Sequence, residues 1–239
     1  MYQLFKNITG KEKSEAIENL FKHSVPSKDF FLMILLSVLM ATFGLLINNS
    51  AVIVGSMLIA PILYPVLGLA MGIIMSDFTL ISKSFITFLK AAILGIIVST
   101  IVTLLFSSQA NGHTTEILSR AEPSLIWFMI GAVAGFAAAF AIVKEKLNDM
   151  LPGVAISVAL IPPIAVIGIG LARLDMSLLF NSLLLFVVNT AGVIFTAVIV
   201  FSLMNFHSKR KEATIVVEKE EKKLEREKVK EEKETGNNK

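Results

Sequence analysis

Two long apolar segments, each interrupted by proline at the same relative place, constrain this chain more than any other feature. Gly55-Ser56-Met57-Leu58-Ile59-Ala60-Pro61 lies halfway along the first, and Ser157-Val158-Ala159-Leu160-Ile161-Pro162-Pro163 halfway along the second. The offset that carries Met57 to Ala159 also carries Leu67-Gly68-Leu69-Ala70 onto Ile169-Gly170-Leu171-Ala172. After a gap of four residues, Asp77-Phe78-Thr79-Leu80 falls on Asp175-Met176-Ser177-Leu178. Upstream, Ala41-Thr42-Phe43-Gly44-Leu45-Leu46 matches Ala138-Ala139-Phe140-Ala141-Ile142-Val143. The matched features keep their order: a small-residue helix, a proline-broken helix, an Asp-X-Ser/Thr-Leu turn and an apolar helix. The chain therefore reads as one unit used twice.

With 239 residues, 54% hydrophobic, 17% charged and a mean hydropathy of +0.74, the chain is too apolar for a soluble domain. It reads as an all-α polytopic membrane protein whose first partner is the lipid bilayer. The net charge of +3 and pI near 9.0 come from basic residues that flank apolar runs, where they set orientation, and no nucleic-acid motif accompanies them. Without cysteine there is no disulfide and no thiolate metal site. Apolar runs predict spans at about 30–47, 51–75, 84–106, 124–143, 151–174 and 178–206. The expected organisation is a cytoplasmic leader (1–28), a first three-helix repeat (29–106), an external loop (107–123), a second three-helix repeat (124–206) and a charged cytoplasmic tail (207–239). In the leader, Ala16, Ile17, Leu20 and Phe21 share one face of a short amphipathic helix, expected on the membrane surface unless the leader is simply solvated. Asp29 is expected to cap the first span. In the tail a weak coiled coil through Val217 and Leu224 competes with a solvated helix or disorder. Lys22, Lys28, Lys83, Lys144, Lys146, Lys209, Arg210 and Lys211 collect on one side against Arg120 and Arg173 on the other, which predicts a plasma-membrane protein with both termini in the cytoplasm.

Three spans per copy mean that the second copy enters the bilayer from the opposite face, so the repeats are inverted, with the second and fifth helices broken or kinked at proline. Pro61 and Pro162 fall near the middle of their spans. There, breaks would free backbone N–H groups and a partial positive charge for an anion or a polar solute, although prolines also kink helices merely to let them pack. Pro61, Tyr64, Pro65, Pro162, Pro163 and Gly168 are the candidate lining residues, with Ser56 and Ser157 close by. Lys90 has two readings, a site residue or a side chain that snorkels to the headgroups. Asn189 and Thr190 likewise read as lining groups or as interhelical hydrogen bonders. No Asp or Glu lies centrally in any span, which disfavours proton coupling through a buried acid. His23, His113 and His207 are scattered and no catalytic or metal motif is present, so no enzyme, cofactor or metal is expected. The Gly131 to Ala139 face of the fourth span suits close helix approach, within the bundle or in a homo-oligomer.

Three blocks carry a family resemblance: Asn49-Ser50-Ala51-Val52-Ile53-Val54-Gly55-Ser56-Met57-Leu58-Ile59-Ala60-Pro61, Leu151-Pro152-Gly153-Val154-Ala155-Ile156-Ser157-Val158-Ala159-Leu160-Ile161-Pro162-Pro163 and Val188-Asn189-Thr190-Ala191-Gly192. Together and in this order they resemble the signature blocks of the prokaryotic integral membrane proteins grouped as domain of unknown function 389, over about residues 28–205. The resemblance supports the fold and the weight placed on the proline segments and implies no substrate. The expected function is a secondary-type permease moving a small anionic or polar solute through a midplane site. A passive channel of the same architecture, or a membrane scaffold acting through the charged tail, are the alternatives.

Overall fold

The computed structural model describes residues 8–24, 27–106, 112–144, 147, 153–154 and 159–206, and all regular structure among them is helical. The tail, His207, Lys146, Pro152, Ser157 and most of the first half of the fifth span lie outside the described residues. α1 is Gly10–Ser24, α2 Lys28–Leu46, α3 Ser50–Ile59, α4 Leu63–Met75, α5 Phe78–Phe106, α6 Thr115–Leu118, α7 Leu125–Val143, α8 Ile161–Ala172 and α9 Met176–Leu203. Four of these (α2, α5, α7 and α9) are long and apolar enough to cross a bilayer. The pair α3 and α4, bent by 53° at its break, makes a fifth span if taken as one. α8 alone is too short to cross, so the described residues carry up to five of the six expected spans.

Three corners share one construction. Asn48, Ser76 and Leu174 adopt left-handed backbone (φ 57, 52 and 55). The next residue's N–H then donates back to a glycine carbonyl: Asn49 to Gly44 at 2.8 Å, Asp77 to Gly72 at 3.0 Å and Asp175 to Gly170 at 2.9 Å. The same Asn or Asp turns its side chain forward to cap the following helix, accepting from Val52, Leu80 and Leu178 N–H at 3.2, 3.0 and 2.9 Å. Glycine is needed because a Cβ there would meet the main-chain nitrogen of Ile53, Ile81 or Leu179 at 3.0, 3.0 or 2.9 Å. The Asp77 cap starts α5 at Phe78, so the gap expected between the spans ending at 75 and starting at 84 shrinks to Ser76 and Asp77. At the head of α2 the cap is Ser27, which accepts from Phe30 N–H at 3.1 Å, and Asp29 serves in the first turn instead.

Four helices form the centre as a closed ring: α4 packs on α5, α5 on α8, α8 on α9, and α9 on α4. Exchanging α4 with α8 and α5 with α9 leaves this ring unchanged. At the offset that carries Asp77 to Asp175, every buried position of α5 (Leu80, Ser84, Thr87, Phe88, Ala91, Ala92, Gly95, Ser99, Val102, Thr103) lands on a buried position of α9. The same offset carries Leu63, the first residue of α4, to Ile161, the first of α8. At this offset the proline and glycine positions line up without the gap inferred from sequence: Pro65 falls on Pro163, and Gly72 on Gly170. The earlier pairing of Pro61 with Pro163 is displaced by four residues, close to one helical turn, which is why the apolar faces still matched.

Outside the ring, α7 lies against α9 and α2 against α3, α5 and α8. The Gly/Ala face of α7 is occupied within the chain: a Cβ at Gly131 would meet Asn189 O at 2.6 Å, one at Gly135 would meet Val193 O at 2.6 Å, and one at Gly192 would meet Phe128 O at 2.5 Å.

The helix ends gather into two groups. At one end α1 buries Ala16, Ile17, Leu20 and Phe21 against α4, α5 and α7, so the amphipathic face covers protein and not lipid. Full burial of Leu20 and Phe21 contributes roughly 1.5–3 kcal/mol each. Thr9 and Glu12 form a reciprocal capping box (Thr9 N–H to Glu12 Oε2 2.7 Å; Glu12 N–H to Thr9 Oγ1 3.2 Å). Lys144 Nζ donates to Glu12 Oε1 at 3.0 Å, Lys13 Nζ donates to Asn205 O at 3.3 Å, and Lys83 lies over the Phe21 ring. The Thr9 N–H and Lys144 hold the Glu12 carboxyl below its ordinary range. At the other end Thr114 Oγ1 donates to Leu45 O (2.8 Å), Ser50 Oγ to Glu116 Oε1 (2.5 Å) and Arg173 Nη1 to Gly112 O (2.8 Å), while His113 Nε2 meets Asp175 Oδ2 (3.0 Å). The Ser50 hydroxyl and then Arg120 depress the Glu116 carboxyl. Gly72→Ala and Gly170→Ala are each expected to lower stability by about 1–3 kcal/mol. Gly55→Ala, whose Cβ meets only Met40 Cε at 3.8 Å, is expected to be neutral. Unfolding midpoints in detergent check this, and equal losses at all three positions would contradict the corner geometry.

Candidate functional site at the helix breaks

α3 stops at Ala60, whose extended backbone (ψ 118) turns the chain out of the helix before Pro61. Tyr64 N–H reaches back to Pro61 O at 3.3 Å, and α4 begins at Leu63 with no side-chain cap. α8 begins at Ile161 after Ala159, whose φ of 47 is strained for a side chain that carries a Cβ, and it too lacks a side-chain cap. Both starts are buried: Leu63 is 5% exposed, and Ile161 is 1%. A helix end left in this setting normally strands several N–H donors. Proline reduces that number. Pro65 occupies the third position of α4, and Pro162 and Pro163 the second and third of α8, so these positions have no N–H to satisfy. The same arrangement weakens the donor array expected to attract an anion.

The candidate residues do not all converge. Pro61, Tyr64 and Pro65 surround the break between α3 and α4, with Tyr64 half-buried against the core, and Pro162 and Pro163 are buried at the start of α8. Gly168 lies at the contact of α8 with α5, where a Cβ would meet Ser99 Cβ at 2.6 Å and Ile96 O at 2.7 Å. Beside it Ser99 Oγ donates to Ala165 O (2.6 Å) and Thr100 Oγ1 to Gly168 O (3.2 Å), tying α8 to α5. Asn189 packs on Gly131 of α7, and Thr190 Oγ1 donates to Phe186 O (2.7 Å) within its own helix, the interhelical and local uses of polar side chains. Lys90, near the middle of α5, stands on the exposed face with Ile86, Ile93 and Ile97 and turns away from both breaks. Ser56 Oγ donates to Ile53 O (2.6 Å), and Ser37 Oγ bridges to Ser56 O (2.7 Å).

Residues that the sequence reading passed over stand out instead. Phe88 of α5 and Phe186 of α9 stack with ring centroids 5.4 Å apart and planes 9° from parallel. They are equivalent positions of the two copies. One turn before each lies Ser84 or Ser182, also equivalent, both 0% exposed and both with an Oγ that has no hydrogen-bond partner. Continuing the Asp77-to-Asp175 match downstream in the sequence would have found them.

Apolar helices of spanning length, two end groups and a bent helix pair between them define a multi-pass integral membrane protein. A family model described as Domain of unknown function (DUF389) matches residues 57–195, and the chain belongs to that family. The uncharacterized protein MJ0678 of Methanocaldococcus jannaschii is 32% identical over 178 residues, covering 74% of this chain and 54% of the relative. The chain thus spans about half the length of the curated relative it matches. No solved structure matches it.

Replacing Pro163 by Ala restores an N–H at a buried helix start, so Pro163→Ala is expected to cost about 1–3 kcal/mol, the reverse of the usual gain on removing proline from a helix. Unfolding in detergent reads this directly, and a stabilised variant would show that the helix extends through the break.

Proposed function

We propose that this protein is a secondary-type permease for a small polar or anionic solute, bound between two helix breaks of an inverted repeat. One observation supports this above the others: α4 and α8 start without caps at equivalent positions and sit diagonally in the ring α4–α5–α8–α9. In the inverted reading α8 belongs to the fifth of six spans, and the two copies rock against each other about the ring. The positive-inside count orients the α1 end, which gathers Lys83 and Lys144, towards the cytoplasm, with both termini there and the 112–121 segment outside. Assembly into a homo-oligomer would use faces other than the Gly/Ala side of α7, which α9 fills. The passive channel shares every feature and differs in showing no alternating access. Among the described residues no charged side chain is buried, so the solute meets hydroxyls, carbonyls and aromatic faces.

A solute held by the folded protein raises its apparent melting temperature by mass action. Purified protein is expected to be stabilised by at least one member of a panel of small anions and uncharged polar metabolites, and Tyr64→Phe to weaken that shift. If no member shifts the wild type, and proteoliposomes take up none of the panel, the permease reading fails.

A further inference from the structure

Resting on the permease reading, the buried centre narrows the solute and its route. Under the offset of the two copies, Phe88 and Phe186 are the same residue, and a residue that contacts its own equivalent lies on a local two-fold axis. α5 runs from the Lys83 end towards the Thr114 end, and α9 runs the opposite way, from Asp175 to Asn205. Ser84, one turn before Phe88, therefore lies on the α1 side of the stack, and Ser182, one turn before Phe186, on the other side. Each is roughly 6 Å along the axis from the rings at helical rise. Both hydroxyls are fully enclosed and both lack a partner, a costly state that natural cores avoid unless something else supplies the bond.

We propose that Ser84 and Ser182 are two equivalent stations for a small uncharged polar solute, one on each side of a Phe88–Phe186 stack that closes the path between them. A serine hydroxyl both donates and accepts, which suits a solute carrying hydroxyl or amide groups. An ion there would be stripped of water with one hydroxyl in return, and among the described residues the buried polar side chains are Ser, Thr and Asn with no counter-charge. Two parallel aromatic rings form a thin apolar barrier that a small rotation opens.

The chain has no cysteine, so single thiols can be introduced without background. Ser84→Cys and Ser182→Cys, in the full chain in proteoliposomes, are treated with methyl methanethiosulfonate and with its sulfonatoethyl and trimethylammonioethyl analogues. Both thiols are expected to react with the uncharged reagent and to be spared by the charged ones, Phe88→Ala to speed both reactions, and Ala41→Cys, equally buried outside the ring, to stay inert. Ser84→Ala and Ser182→Ala are expected to keep or raise the unfolding midpoint, since each removes an unpartnered group, and each to slow glycerol or urea flux by about fivefold. Thiols inert to all three reagents, charged reagents reacting as fast as the neutral one, or flux confined to ions would overturn the stations while leaving a permease. A wild type that passes neither uncharged nor ionic solute would overturn the permease reading itself.

Discussion

Breaking a helix inside a bilayer frees backbone groups that lipid cannot satisfy, and the protein itself has to dispose of them. In this fold a carbonyl freed at the end of α3 is met by a hydroxyl from a neighbouring helix, Ser37 on Ser56 O, while Ser99 on Ala165 O and Thr100 on Gly168 O tie α8 to α5. The donor side is handled mainly by deletion, because proline at the second or third helical position brings no N–H. The result is a ring of four helices in which two shortened members are held by two long ones. Gly95 and Gly168 let α5 and α8 approach until a Cβ at either would overlap Ile164 or Ser99.

The three corners repeat one construction with different residues. Asn48, Ser76 and Leu174 all take the left-handed turn, and Asn49, Asp77 and Asp175 all close it, yet only the glycine before and the Asn or Asp after are chemically constrained. Such corners fix where each helix starts, and a fixed start propagates along α5 and α9 to place Phe88 opposite Phe186. A local rule at the membrane edge thus sets a contact deep in the centre.

Much of this was legible in the chain. The Asp-X-Ser/Thr-Leu turns start the helices that follow them, and the four apolar residues of α1 share the one face that their spacing implied. The register of the break differs by one turn from that read in the sequence because apolar periodicity repeats almost unchanged after four residues, and the helix starts at Leu63 and Ile161 and the Gly72 and Gly170 corners distinguish the two pairings. Lys90 drew attention for its charge, but the face a residue occupies depends on packing partners far away in sequence, and Ile86, Ile93 and Ile97 carry it outward. Ser84 and Ser182 were hidden by being ordinary: a serine in an apolar helix bonds its own turn often enough that only the full hydrogen-bond accounting singles these two out. Whether α1 covered lipid or protein could not be read from an amphipathic pattern, which is the same for both.

The central claim is that the two copies meet at their equivalent residues about one axis. Phe88→Cys with Phe186→Cys in a single chain, treated with a short bifunctional methanethiosulfonate and then cut at a protease site placed in the 107–123 loop, tests it directly. The duplicated ring predicts that the two halves stay joined until reduced, whereas Lys90→Cys with Val188→Cys, at the same offset but not on the shared face, releases them. Release of the Phe88 and Phe186 pair, or equal joining of both pairs, would contradict it.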